Sequence, residues 1–379
     1  MSTLFDNNAS FNAQQFATDF NSILYRIACI NPLQYAKTRN FINGAVTYLS
    51  PYISRGVITV RQVLQAVLQR GYRPYQIEKF IQELAWREYY QRVWQAKGNL
   101  ITQDLKQPQP DVQHHEMTQA VKDAITGIEA IDEQISKLYS TGYMHNHVRM
   151  YVASIVCNIG KAHWQRPSQW LYYHLLDGDV ASNNCSWQWV AAAFASKKYY
   201  CNQDNINKYT FSNQQKTFLD VSYDAIPSMP VPDVLKKTTT LQLETSLPPT
   251  TLPVIDTTKP TLIYNSYNLD PLWRKNESAN RILLLEPSHF KKYPVSKNVI
   301  DFVISLSQNI DGLQLYCGEL EDITALHTCT AIIAKEHPAF SHYPGIKDSR
   351  EWIFAEVNGY FPSFFSYWKK CERHLSQFK

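Results

Sequence analysis

The chain has 379 residues, of which 44% are hydrophobic and 13% aromatic, with 12 glycines and a formal net charge of +4. That length favours two domains over one, and the apolar content excludes wholesale disorder. Seven scattered cysteines without a CxxC pair indicate neither a disulfide framework nor a zinc or iron–sulfur site, and point to a reducing cytoplasm. No apolar run reaches the roughly 18 residues of a membrane helix, and the opening MSTLFDNNAS lacks the basic and apolar regions of a signal peptide. The mild positive charge permits a nucleic-acid partner without arguing for one.

A first region, residues 13–221, is helical in pattern through about residue 215. Thr47 and Ser50, in VTYLSPYI, fall at a helix start or turn, where hydroxyls and free amides suit a diphosphate. An ordinary Ser-Pro cap accounts for the same residues. From Arg73 to Ala96 the residues Ile77, Phe80, Ile81 and Leu84 recur at spacings of three and four, an amphipathic helix. Glu83, Trp86 and Arg87 project from one side of it, and Glu83–Arg87 could be a plain solvated i,i+4 pair. A second helix, about Tyr143 to Cys157, aligns Asn146, Arg149 and Met150. Between Lys161 and Trp189 the chain then gathers the indoles Trp164, Trp187 and Trp189, the carboxylates Asp177 and Asp179 of a DGD turn, and the amides Asn183 and Asn184. Indoles yield electrons to a strong oxidant, and amides and carboxylates beside them suit a polar heteroaromatic edge, so the segment suggests a redox cofactor with aromatic relays. A packed helical core with a polar turn is the competing reading.

Residues 222–260, rich in Pro and Thr and without periodicity, read as a semi-extended linker. Beyond it the period changes. Thr261–Tyr264, Arg281–Glu286, Leu313–Cys317 and Ala331–Lys335 are short apolar runs separated by helical stretches, notably Val295 to Gln308. Strands alternating with helices predict βαβ units and a small parallel sheet over 261–379. The expected fold class is therefore α plus α/β, an all-helical domain followed by a parallel-sheet α/β domain.

The segments TGYMHNHVRMYVAS (Thr141 to Ser154) and LLDGDVASNNCSWQWVA, with VTYLSPYISRGVIT and ELAWREYY in the right order before them, closely resemble the flavin-binding helical domain of DNA photolyases and cryptochromes. The resemblance spans about residues 20 to 210. It implies FAD held by Tyr35, Thr47, Leu49, Ser50, Arg87, Asn146, Arg149, Asp177, Asp179 and Asn183, with Arg39 near the phosphate side. Arg149 and Asp177 would pair against the isoalloxazine, Asp179 would approach its polar edge, and Asn183 would face N5. A structural salt bridge without cofactor is the alternative for the Arg149–Asp177 pair. Where the family often has Ser-Arg, this chain has Thr47-Tyr48.

The resemblance also implies a lesion pocket of the cyclobutane type, lined by Glu83, Trp86, Asn146 and Met150. A Glu83 carboxyl kept protonated by apolar neighbours would meet the lesion carbonyl, and Trp86 would offer a face to a flipped base. His147 stands where the family usually carries an Arg facing DNA. Trp187 and Trp164 match the inner and middle members of a photoreduction relay, while no Trp lies between Pro108 and Gly127 for the outer one. The relay then ends at a tyrosine, uses Trp170 or Trp189, or stops short; a core role fits Trp170 and Trp189. RILLLEPSHF resembles part of the photolyase sheet domain, which in that family precedes the helical domain, so the order here looks permuted; an unrelated α/β appendage is the alternative.

The implied function is a lyase activity, light-driven repair of cyclobutane pyrimidine dimers by electron transfer from reduced FAD. It would act on UV-damaged DNA as a cytoplasmic monomer, without metal or membrane. A cryptochrome-like photoreceptor and a flavin-free DNA-binding remnant are the alternatives. The α/β region shows no fingerprint of an antenna chromophore.

Overall fold

The computed structural model describes residues 16–378. The N-terminal stretch MSTLFDNNAS, residues 13–15 of the helical region and Lys379 lie outside the described residues. Five helices come first: α1 (Phe20–Ala28), α2 (Pro32–Thr38), α3 (Ser50–Ser54), α4 (Val60–Leu68) and α5 (Glu78–Lys97). Thr59 and Gln62 form a reciprocal capping box that starts α4. The two-residue strand β1 (Met117–Thr118) precedes α6 (Gln119–Lys122) and α7 (Glu129–Thr141). Then come α8 (Asn146–Ala153), α9 (Gln165–His174), α10 (Val180–Val190) and α11 (Gln203–Thr210). The helix expected over about Tyr143 to Cys157 begins at Asn146 and widens into a π turn at Ser154–Ile159.

The segment read as a linker carries short elements of its own. Helix α12 (Asp233–Lys236) buries Leu235, and β2 (Thr238–Thr239) pairs antiparallel with β1. Further on, Val295 N–H donates to Thr245 Oγ1 at 2.7 Å, and Val254 N–H to Gln314 Oε1 at 2.8 Å. This stretch is tied to the surface at intervals instead of spanning open solvent.

Beyond it lie β3 (Thr261–Tyr264), β4 (Asn280–Leu284), α13 (Pro287–Lys292), α14 (Lys297–Ser307), β5 (Leu313–Tyr316), β6 (Ile332–Lys335) and β7 (Ile346–Asp348), then α15 (Phe364–Cys371). The five strands are all parallel in the order β5-β4-β3-β6-β7, a doubly wound sheet whose order reverses at β3. The fold class expected from the alternation of periods is the one observed. Strand β7 and helix α15 carry no pattern strong enough to have been anticipated.

Strand alternation decides how the two parts meet. Leu262, Tyr264 and Leu283 join a core that runs unbroken through α14 into α1, α4 and α5. Ile263, Ile282 and Leu284 point the other way and pack with Phe340 and Tyr343. A separate core lies beneath α7 to α10. At the seam, buried Arg55 donates to Leu176 O at 2.9 Å, and its own carbonyl accepts from Leu269 N–H at 3.0 Å. Gly56, at φ +64°, lies so close to the sheet that a Cβ would sit 2.2 Å from Tyr267 O, and only glycine fits. No described helix is long and apolar enough to cross a membrane.

His289 on α13 is fully enclosed, and burial drives its pKa down to about 3. Unfolded chain therefore takes up a proton below about pH 6.5 that the native state refuses, so this group withdraws stability as pH falls. The stability difference between wild type and His289→Phe, from urea unfolding, should move against the wild type by about 2 kcal/mol between pH 7 and pH 5. An unchanged difference would show that His289 is protonated in the folded protein.

Candidate functional site

A cavity of about 450 Å³ opens between α5, α8, α10 and the Val46–Ile53 segment. Helical spacing supplies its walls: Glu83, Trp86, Arg87 and Tyr90 from one side of α5, Asn146, Arg149 and Met150 from α8, and Asn183, Ser186 and Trp187 from α10. Tyr35, Arg39, Thr47, Leu49, Ser50, Asp177 and Asp179 complete it. Every residue anticipated around a cofactor thus reaches one void, as do the four anticipated for a lesion pocket. Trp164 does not; its indole is wholly buried and donates to Asp104 Oδ1 at 2.6 Å.

Arg149 and Asp177 form the anticipated pair. Arg149 Nη2 lies 3.0 and 2.9 Å from the two carboxylate oxygens, and its Nε donates to Met144 O at 2.8 Å. Asp179 caps α10 through Ser182 N–H at 2.7 Å and accepts from Gln91 Nε2 at 2.6 Å, with Arg87 Nη2 at 3.9 Å. Arg87 in turn donates to Ser54 Oγ at 2.9 Å. Asn183 spends its amide hydrogens on Ser168 O at 2.9 Å and Asn184 Oδ1 at 3.2 Å, which leaves its carbonyl oxygen to accept from a donor in the cavity.

One expectation needs correction. Glu83 does not pair with Arg87; it meets Arg39 Nε at 3.1 Å and Lys79 Nζ at 3.3 Å, because Arg87 is drawn to Ser54 and Asp179. Its surroundings are therefore ionic, not the apolar setting expected. Trp86 lines the cavity, and Phe364 of α15 stacks on one of its faces at 3.8 Å and 11°. Trp189, read as a core residue, packs against the core and also lines the cavity.

Other wall residues escaped the sequence reading. His145 caps α8 by accepting from His147 N–H, and burial lowers its pKa to about 4, so it is neutral near pH 7. Tyr48 adopts φ 52°, a left-handed conformation rare for an aromatic residue, between Thr47 and Leu49. Tyr143 lies under the Arg149 guanidinium, 5.4 Å from ring centroid to Cζ. Only the Tyr143 signal was available in sequence, one turn ahead of Asn146.

The donor set suits a flat heteroaromatic group with a diphosphate. The volume falls in the usual cofactor range, leucine and aromatic side chains form much of the wall, and Arg39, Arg87 and Arg149 bring positive charge. Ser182 Oγ, buried in the wall, has no hydrogen-bond partner among the described residues, an orphan that a bound polar group would satisfy.

Comparison with known proteins agrees. Residues 80–220 match the FAD binding domain of DNA photolyase. A deoxyribodipyrimidine photo-lyase from Synechococcus sp. is 36% identical over 169 residues, 42% of this chain and 35% of that protein. One from Vibrio cholerae is 29% identical over 188 residues, 47% and 40% of the two chains. A cryptochrome structure from Synechocystis sp. aligns with a TM-score of 0.46 at 26% identity, covering 53% of this chain and 44% of that one. The matched regions span well under half the length of these relatives. Ring-edge acceptor, ion pair, orphan hydroxyl and cavity size all fit FAD, the cofactor of this domain. The helical half of the chain is thus similar to the FAD binding domain of DNA photolyase, over residues 80–220.

Proposed function

We propose that this protein uses light to split cyclobutane pyrimidine dimers in DNA, with FAD held in the α5–α8–α10 cavity. One observation carries the reading: Glu83, Trp86, Asn146 and Met150 share a single void with Arg149, Asp177 and Asn183, so a lesion entering there would lie against the flavin. Reduced FAD, when bound and illuminated, supplies one electron to the dimer and recovers it after the ring opens.

The chain's own residues then have distinct tasks. The free face of Trp86 supports a base extruded from the duplex, as such a reaction requires. Negative charge developing on the pyrimidine carbonyl would be met by the cation Arg39, which Glu83 holds at the cavity wall through their 3.1 Å contact. Asn183 Oδ1 holds a ring N–H, and the Arg149–Asp177 pair fixes the cofactor's position. Trp187 in the cavity wall and Trp164 behind it would reload electrons into oxidised flavin. The division into a helical FAD domain (13–221), a linker (222–260) and an α/β domain (261–379), in the reverse of the family's order, belongs to the same proposal. It is supported by a family match that ends at residue 220 and parallel strands that all begin after 260.

A photoreceptor without repair is the second reading, and two features favour it. His147, where the family usually has an Arg, has its Nδ1 2.9 Å from Asn40 O and its ring against Tyr151 and Tyr209, so its ring is engaged within the protein. Phe364 also covers half of Trp86.

The deciding measurement is repair of a dimer-containing oligonucleotide by chemically reduced protein, in light and in darkness at fixed salt. Light-dependent repair is expected, and Glu83→Ala should lower dimers split per absorbed photon while lesion affinity changes less. Trp86→Ala should chiefly weaken lesion binding, by about 1–3 kcal/mol. No repair by illuminated wild type would leave the photoreceptor reading. Asp177→Ala should strand the Arg149 charge at a cost of about 3–5 kcal/mol and lower flavin occupancy, read from the absorbance of purified protein. Full occupancy in that variant would detach the pair from cofactor binding.

A further inference from the structure

We propose that Asp104 accepts the indole proton of Trp164, so that the electron relay ends in a deprotonated tryptophan instead of a third indole. The proposal rests on the reading above, in which Trp187 and then Trp164 give up an electron to light-excited oxidised flavin. The stretch from Pro108 to Gly127 has no tryptophan to carry the charge outward.

The geometry at Trp164 is specific. Its indole is wholly buried, and Nε1–H donates to Asp104 Oδ1 at 2.6 Å, a short contact of the charge-assisted kind. The carboxylate is held in place. Gln109 N–H donates to Asp104 Oδ2 at 2.9 Å, while the Gln109 side chain accepts from Trp164 N–H at 2.8 Å. His163 Nε2 lies 3.3 Å from the same Oδ1, and its ring stacks at 4.9 Å on His115, which is exposed. Burial lowers the His163 pKa, which leaves a neutral imidazole able to take up a proton. Indole, carboxylate and two imidazoles thus run from the core to solvent.

Satisfying a buried indole N–H does not require a charge. Trp170, equally buried, donates instead to the Tyr139 hydroxyl at 3.0 Å. The other indole that donates to a carboxylate among the described residues, Trp273 on Asp348 at 2.8 Å, lies in the sheet region away from the cavity; within the helical region the carboxylate stands at Trp164. Loss of one electron makes an indole a much stronger acid. The Nε1–H bond breaks, an O–H bond forms on Asp104, and the proton moves on to His163 or water. The neutral radical left behind is reduced later by an external thiol, and the proton returns with that electron. Because deprotonation removes the charge from Trp164, return of the electron from the flavin is slowed.

The test is laser-flash spectroscopy on full-length, flavin-loaded protein, following the distinct absorption bands of cationic and neutral tryptophanyl radicals. Wild type should give the neutral radical, formed more slowly in D₂O. Asp104→Asn keeps a carbonyl acceptor but cannot take the proton, so the yield of long-lived neutral radical should fall at least tenfold. Asp104→Glu should restore it. In flavin-free protein with ¹⁵N-labelled tryptophan, the Trp164 indole N–H resonance should lie far downfield and move upfield in Asp104→Asn. An unchanged neutral-radical yield in Asp104→Asn overturns the proposal, as does a wild type that forms no tryptophanyl radical. Repair by chemically reduced protein bypasses the relay, so it reports on the repair reading alone.

Discussion

On α5 the Glu88 carboxylate lies buried and accepts three hydrogen bonds from the far end of the chain: Ile353 N–H at 2.6 Å, Phe354 N–H at 2.9 Å and Tyr367 O–H at 2.8 Å. Burial raises its pKa, and the three donors oppose that rise. Left without those donors, the carboxylate would be a buried polar group with nothing to replace water. Around it, Arg92 lies 3.6 Å from the Trp352 ring centroid, and Arg350 donates to Gln91 at 2.6 Å. The C-terminal segment is therefore moulded onto α5 by polar contacts made inside the protein.

That attachment has consequences across the helix. With Glu88, Gln91 and Arg92 committed to the C-terminal side, Glu83, Trp86 and Arg87 are left facing the cavity. Gln91 joins the two sides, since it bonds both Arg350 and Asp179, the cap of α10. The same attachment carries Phe364 onto Trp86, which narrows what that indole can stack against. A residue 278 positions away in sequence thus shapes the mouth of the cavity.

The sheet is fastened by a different device. Arg55 and Gly56 sit where α3 ends, one threading its side chain between Leu176 and the turn after β3, the other allowing the backbones to touch. Leu176 directly precedes Asp177, so the contact that docks the sheet also supports the carboxylate paired with Arg149. Placement of the sheet and of the ion pair are linked through Arg55 and the adjoining residues Leu176 and Asp177.

Local pattern determined much of this protein. Spacing of three and four put Glu83, Trp86 and Arg87, and likewise Asn146, Arg149 and Met150, on common helix sides. Short apolar runs marked four of the five parallel strands. Such features depend on neighbours within a turn or on strand alternation, which a sequence displays directly. The partners of charged groups were decided only by the tertiary structure. Glu83 turned to Arg39 instead of Arg87, Trp86 gained Phe364, and Glu88, a charged residue on the helix side of Ile77, Ile81 and Leu84, became a buried anchor. Each outcome rests on segments distant in the chain competing for the same hydrogen bonds, and periodicity carries no record of that competition.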